Sequence, residues 1–162
     1  MDSRLRGNDE GEGTAPSLLI KWPNDLLLDG KKLAGILLER ADAAVIIGFG
    51  VNLAHAPANL DRPATSLAAH APAPTPDIFI IALVDSFAHW IAAWRDEGLP
   101  RIRPAWLERA HSIGTPLSAD TGEGKRIEGA FANLDTEGSL LLRSADGAVH
   151  IIHAGDVFVA QR

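Results

Sequence analysis

The chain has 162 residues, 46% hydrophobic and 22% charged, which is ordinary globular material with room for one medium domain or a domain with a small appendage. Its net charge of −6, without runs of basic residues, lacks the electrostatic footprint of a nucleic-acid binder. The absence of cysteine excludes disulfides, thiolate zinc sites and cysteine nucleophiles.

Residues 1–16 carry Gly, Asp, Glu, Asn and Arg with almost no apolar side chain, so they cannot bury enough surface to offset their ordering entropy. A disordered tail is expected there, ahead of a chain that starts partway through a domain. No uninterrupted apolar run reaches the roughly 18 to 20 residues of a membrane span, and the N-terminus lacks a signal-peptide pattern. A soluble, cytoplasmic protein with no membrane contact is the expectation.

Three strands follow: Leu18 to Trp22 continuing to Leu28, Lys32 to Arg40, and Ala44 to Leu53. Asp29-Gly30 tolerates positive φ and predicts a tight hairpin turn between the first two. The apolar runs Leu33 to Leu38 and Val45 to Ile47 predict a sheet buried on both faces, hence covered by helices. Thr65 to His70 fits one or two helical turns capped by Thr65, and the prolines at 72, 74 and 76 force an extended connection.

Asp77 to Glu97 reads as a long helix with Asp77 as N-cap, because Ile80, Leu83, Val84, Phe87, Ile91 and Trp94 recur along one face. Gly98 and Pro100 end it. Pro104 opens a second helix to about His111, with Trp106, Leu107 and Ala110 packing back. Beyond Ile113, short apolar runs alternate with turn pairs: Pro116 to Ala119, Arg126 to Leu134, Ser139 to Arg143, Val149 to His153 and Val157 to Val159. That is a small all-β unit.

The polar residues around the first hairpin are concentrated rather than scattered. Lys21-Trp22-Pro23-Asn24-Asp25 closes one apolar run, and Lys32-Leu33-Ala34-Gly35-Ile36-Leu37-Leu38-Glu39 opens the next. Pro23 cannot donate to a ladder, so the first strand is interrupted there and Asn24 and Asp25 sit on a chemically available bend. Farther on, Gly48-Phe49-Gly50-Val51-Asn52 places two residues without side chains beside an amide. His150 and His153 fall on opposite faces of a strand, so the histidines form no ligand set. There is no nucleophile elbow, and Gly48-Phe49-Gly50 is too short for a dinucleotide fingerprint.

The Lys21 to Asp25 and Lys32 to Glu39 stretches resemble the central motif of biotin protein ligases, Gly48 to Leu53 resembles that family's Gly-x-Gly-x-Asn strand, and the last fifty or so residues resemble its C-terminal barrel. The resemblance implies an α+β fold: a partial class II aminoacyl-tRNA synthetase/biotin ligase-like sheet with helices over residues 17–112, then an SH3-like β-barrel over residues 113–162. It also implies ATP-dependent activation of biotin to biotinyl-AMP and transfer to a lysine of a biotin carboxyl carrier domain, with Mg2+. The family's upstream Gly/Arg-rich biotin loop has no counterpart in the sequence, so weak or no activity is expected of the chain alone. The sheet edge left by the absent half predicts self-association or poor solubility, with a homodimer or a missing N-terminal half as the partner.

By the same resemblance, Lys32 is the cation at the biotin carboxylate and phosphate, where negative charge develops in the transition state. Asp25 either holds magnesium or orients the acceptor lysine. Lys21, Asn24, Gly35 and Asn52 would serve substrate or nucleotide binding. Each also has a plain structural reading: a solvated turn lysine, turn side chains, tight strand packing, a capping amide. A non-catalytic carrier-docking or assembly module, and a lipoate-type ligase, are the alternatives.

Overall fold

The computed structural model describes residues 16–58, 62–121 and 126–160; the expected tail lies outside them. The chain forms two antiparallel sheets. The first runs in sequence order through β1 (Leu18–Lys21), β2 (Asp25–Leu28), β3 (Lys31–Ala41) and β4 (Ala44–Val51). The expected first strand is therefore two. The chain reverses at Trp22-Pro23-Asn24 and β2 pairs back on β1, Leu18 opposite Leu28 and Lys21 opposite Asp25.

The β2–β3 turn is the two-residue hairpin expected, with Asp29 at φ 49° and Gly30 at φ 74°, the paired positive values that match the twist of the flanking strands. A bulge follows: Leu26 faces Ala34 but Leu27 faces Lys32, leaving Leu33 as an extra residue on β3. A 3₁₀ turn at Leu67–Ala69 comes next, entered from Ser66 rather than capped by Thr65.

Helix α1 (Pro76–Glu97) takes Thr75 as its N-cap residue, and Asp77 lies in its first turn, where a carboxylate favours the positive end of the helix. The second helix, α2 (Leu99–Leu107), begins five residues before the expected Pro104. Gly98, at φ 69°, supplies the break between them, and Pro100 fits the first turn, where its missing N–H leaves no bond unmade. Pro104 is then internal to α2 and gives up one helical bond.

The second sheet holds β5 (Pro116–Asp120), β6 (Arg126–Leu134), β7 (Leu140–Arg143), β8 (Val149–Ile152) and β9 (Asp156–Val159), in the order β8-β7-β6-β5-β9. This is the SH3-like unit expected at the C-terminus. Its inward side chains Leu117, Phe131, Leu140, Leu142, Ile152 and Val157 are each at most 2% exposed. Trp22 and Ala110 join that core, and Trp106 and Leu107 pack against it.

The first sheet does not show the two buried faces expected of it. Leu37, Leu38, Val45 and Ile46 are 55 to 60% exposed, and α1 has no buried residue. Leu37 and Ile46 lie on one face and Leu38 and Val45 on the other, so both faces are open at this end of β3 and β4. Phe87 of α1 meets Phe49 of β4 edge to face at 5.8 Å. By length and mean hydropathy (1.4) α1 could cross a membrane, although Asp85 and His89 interrupt its middle turns.

Candidate functional site

Strand register assembles the site. Lys21 lies opposite Asp25 across the β1–β2 turn, and Asp25 lies opposite Gly35 across β2–β3, so these three share one face. Lys32 is three residues before Gly35, which in a regular strand would send it to the other face. The bulge at Leu33 absorbs the odd residue and places Lys32 opposite Leu27, whose side chain shares the face of Asp25.

Lys32 Nζ consequently lies 2.5 Å from Asp25 Oδ1, while Lys21 Nζ lies 3.0 Å from Asp25 Oδ2. The Asp25 side chain is 7% exposed and that of Lys32 is 42% exposed. The carboxylate is therefore sequestered and the Lys32 ammonium still reachable. Burial alone would raise the Asp25 carboxyl, but hydrogen bonds and charge from Lys32 and Lys21 outweigh it and hold the group below the ordinary aspartate value. The cluster is one anion between two cations, net positive.

Gly35 makes room for this pair. A Cβ there would stand 3.1 Å from Lys32 Nζ and 3.3 Å from Asp25 Oδ1. Gly48 and Gly50 differ, because a Cβ at either would meet only ordinary contacts at 3.8 Å or more. Together with Asn24, Asp25, Lys32 and Phe49, these glycines line an open cleft over β3 and β4.

Asn24 Nδ2 donates to the Ile36 carbonyl, and the Ile36 amide donates to the Asn24 carbonyl at 2.9 Å, which locks the bend onto β3. Asn52 turns inward, with Nδ2 donating to the carbonyls of Thr65 (3.0 Å) and Lys32 (3.4 Å). The Lys32 amide donates to Pro63 O and the Thr65 amide to Lys32 O, both at 2.9 Å, so segment 63–65 is laid against the backbone of Lys32. All six expected residues thus gather around one hairpin, but Lys21 is buried and turned towards the second sheet, where its Nζ donates to Val157 O at 3.0 Å.

Magnesium has no ready seat. Both Asp25 oxygens are occupied by lysines, and the described residues contain no group of three or more His, Cys, Asp or Glu side chains able to hold a metal. His150 and His153 pair with different serines, Ser144 and Ser139.

Two residues the sequence did not single out belong to the neighbourhood. Arg62 pairs with Asp156 at 3.5 Å and lies 4.1 Å from the centroid of the Phe158 ring. His111 lines a small apolar cavity with Trp22 and Val157, its Nε2 buried without a partner. Burial first, and the Lys21 charge second, hold the His111 imidazole below its ordinary value. Arg62-Pro63 reads in sequence as a loop, and nothing local to His111 marks it.

Residues 4–52 match the model of the Biotin/lipoate A/B protein ligase family, and residues 116–159 match that of the Biotin protein ligase C terminal domain. The chain is 41% identical over 160 residues to the biotin–acetyl-CoA-carboxylase ligase of Paracoccus denitrificans, an alignment covering 90% of this chain and 65% of that protein. It is 34% identical over 139 residues to the ligase of the same name from Mycobacterium tuberculosis, covering 85% of this chain and 52% of that one. The chain thus spans between about half and just under two-thirds of the length of these relatives. Among solved structures, the biotin protein ligase from Aquifex aeolicus in complex with biotin and ATP aligns with a TM-score of 0.79 at 19% identity, over 88% of this chain and 62% of that one. That last likeness is one of fold.

Proposed function

Given that the chain belongs to the biotin protein ligase family, we propose that its cleft serves ATP-dependent activation of biotin and transfer of the biotinyl group to a lysine of a carboxylase carrier domain, as a soluble cytoplasmic ligase. The observation that carries the reading is the Lys32–Asp25 pair, an exposed ammonium parked on a buried carboxylate at the lip of an open cleft. Gly48 and Gly50 support it. Packing within the chain does not require glycine at either position, so the bare strand surface is explained by a ligand lying on it.

In the first step a carboxylate oxygen of biotin attacks the α-phosphorus of ATP, forming the acyl–phosphate bond and expelling pyrophosphate. Two anions must meet and further charge develops on the phosphoryl oxygens, which a preorganised cation stabilises. Lys32 supplies that cation. In the second step the neutral amine of the acceptor lysine attacks the biotinyl carbonyl and AMP leaves. When Lys32 turns to the anion, Asp25 Oδ1 is released to attract and orient the incoming ammonium. No step is drawn through a protein-held metal ion. The second family model and the names of the relatives favour biotin over lipoate.

The test is biotin-dependent exchange of pyrophosphate into ATP, by this chain alone and with the N-terminal half of a family member added in trans. Exchange is expected on complementation, and Lys32→Ala should lower it by about 10²–10³-fold, the loss typical of one charge-stabilising donor. Exchange that survives in Lys32→Ala would remove Lys32 from the chemistry. No exchange with either preparation would remove the ligase reading for this chain.

A further inference from the structure

Two routes lead from β9 to Lys32. The first begins at the carbonyl of Val157, a residue 1% exposed in the core of the second sheet. Lys21 Nζ donates to it at 3.0 Å and to Asp25 Oδ2 at 3.0 Å, and Asp25 Oδ1 holds Lys32 Nζ at 2.5 Å. The Lys21 side chain is 9% exposed, so its ammonium has exchanged water for these partners and would be costly to leave without them. The second route begins at the neighbouring side chains. Asp156 and Phe158 hold Arg62, and the adjoining Pro63 carbonyl accepts the backbone N–H of Lys32. One route ends on the ammonium of Lys32 and the other on its backbone.

We propose that β9 of the C-terminal unit sets the position of Lys32, with Lys21 as the positioning residue of one route and Arg62 of the other, and that Lys21 itself does not touch the nucleotide. This rests on the reading of Lys32 as the reacting cation. It goes beyond that reading in making the second sheet part of the site rather than an appendage. An ammonium that must meet a developing charge gains from being held in one geometry, and misplacement of a reacting group by about 1 Å can cost 10²-fold in rate.

The test uses the full ¹⁵N-labelled chain. Its Lys32 ammonium, reachable but held on Asp25, is expected to give a detectable signal that exchanges more slowly than that of an unpaired lysine. Lys21→Met keeps the aliphatic stem and removes the charge; it should broaden or erase that signal and speed amide exchange in β9, while Lys21→Arg should keep both. In the complemented pyrophosphate-exchange assay, Lys21→Met should lower kcat by about ten- to a hundredfold with KM for ATP and biotin little changed, and Lys21→Arg should recover most of it.

An unchanged Lys32 signal in Lys21→Met overturns the proposal, as does a raised KM for ATP at constant kcat, which would make Lys21 a nucleotide contact. Arg62→Ala is an exposed change that spares the core and should fold even if Lys21→Met does not. It should speed exchange of the Lys32 amide, and unaltered exchange there overturns the second route. Were the complemented wild-type chain to show no turnover, the ligase reading would fail, while the Lys32 signals would still decide whether β9 positions that residue.

Discussion

The β5–β9 unit encloses its own core, whereas the β1–β4 sheet with α1 presents much of its apolar surface to solvent. Leu140 and Leu142 are fully buried, yet Leu37 and Leu38, in an equally apolar run, are about 60% exposed. Both runs carry the same instruction, since an apolar strand requires a partner on each apolar face. Within the described residues the C-terminal unit finds those partners, whereas the first sheet finds them at Leu27, Leu28, Leu33 and Ala34 but not at Leu37 and Leu38. On α1, Ile81 and Val84 are likewise 64% and 55% accessible.

Core truncation should show the largest difference between the regions. Phe131→Ala removes a ring that is 2% exposed and packed edge to face on Trp106, and should cost about 3–5 kcal/mol in urea unfolding. Ile81→Ala on α1 should stay within about 0.5 kcal/mol, as surface changes do. A comparable loss at Ile81 would break the contrast, because it would mean that the α1 face is covered in solution, as by a second copy of the chain.

A smaller effect sharpens the contrast between glycines that serve packing and glycines that leave space. Gly35→Ala would press a Cβ onto Lys32 Nζ and Asp25 Oδ1, costing about 1–3 kcal/mol as overpacking does. Gly48→Ala, with nothing nearer than 3.8 Å, should change stability by less than about 0.5 kcal/mol while impairing ligand binding in the complemented assay. Equal stability losses would show that Gly48 too is dictated by the chain's own packing.

Much of this architecture was legible because its causes are local. Asp29-Gly30 demanded a two-residue hairpin, Gly98 marked the end of α1, and the turn pairs after Ile113 spaced the strands of the second sheet. The site was legible as a set of residues but not as a geometry. The bulge at Leu33 that brings Lys32 onto the face of Asp25 depends on pairing register, and the acceptor that buries Lys21 lies 136 residues away. A strand-end lysine looks solvated until its distant carbonyl is known. The two-sided burial read from Leu33 to Leu38 failed for a related reason, since periodicity reports what a face needs and not whether its partner is present.

The subtlest prediction concerns the seam where the regions meet. His111 has an orphaned Nε2 in a cavity shared by Trp22 of the first sheet's turn and Val157 of β9, with the Lys21 charge nearby. Its imidazole is held below the ordinary value of 6.5, by burial first and by Lys21 second. The folded state therefore keeps His111 neutral where the unfolded chain has begun to protonate it. The unfolded state then binds more protons, so stability contributed by this group is fully present above pH 6.5 and declines as pH falls from there towards the lowered folded value. The slope from one group cannot exceed about 1.4 kcal/mol per pH unit. Unfolding free energies of wild type and His111→Gln across this range should differ in slope by a fraction of that limit, the wild type being the steeper. Parallel curves would mean that His111 is hydrated at the seam, and that the two sheets meet there less tightly than the Lys21–Val157 bond requires.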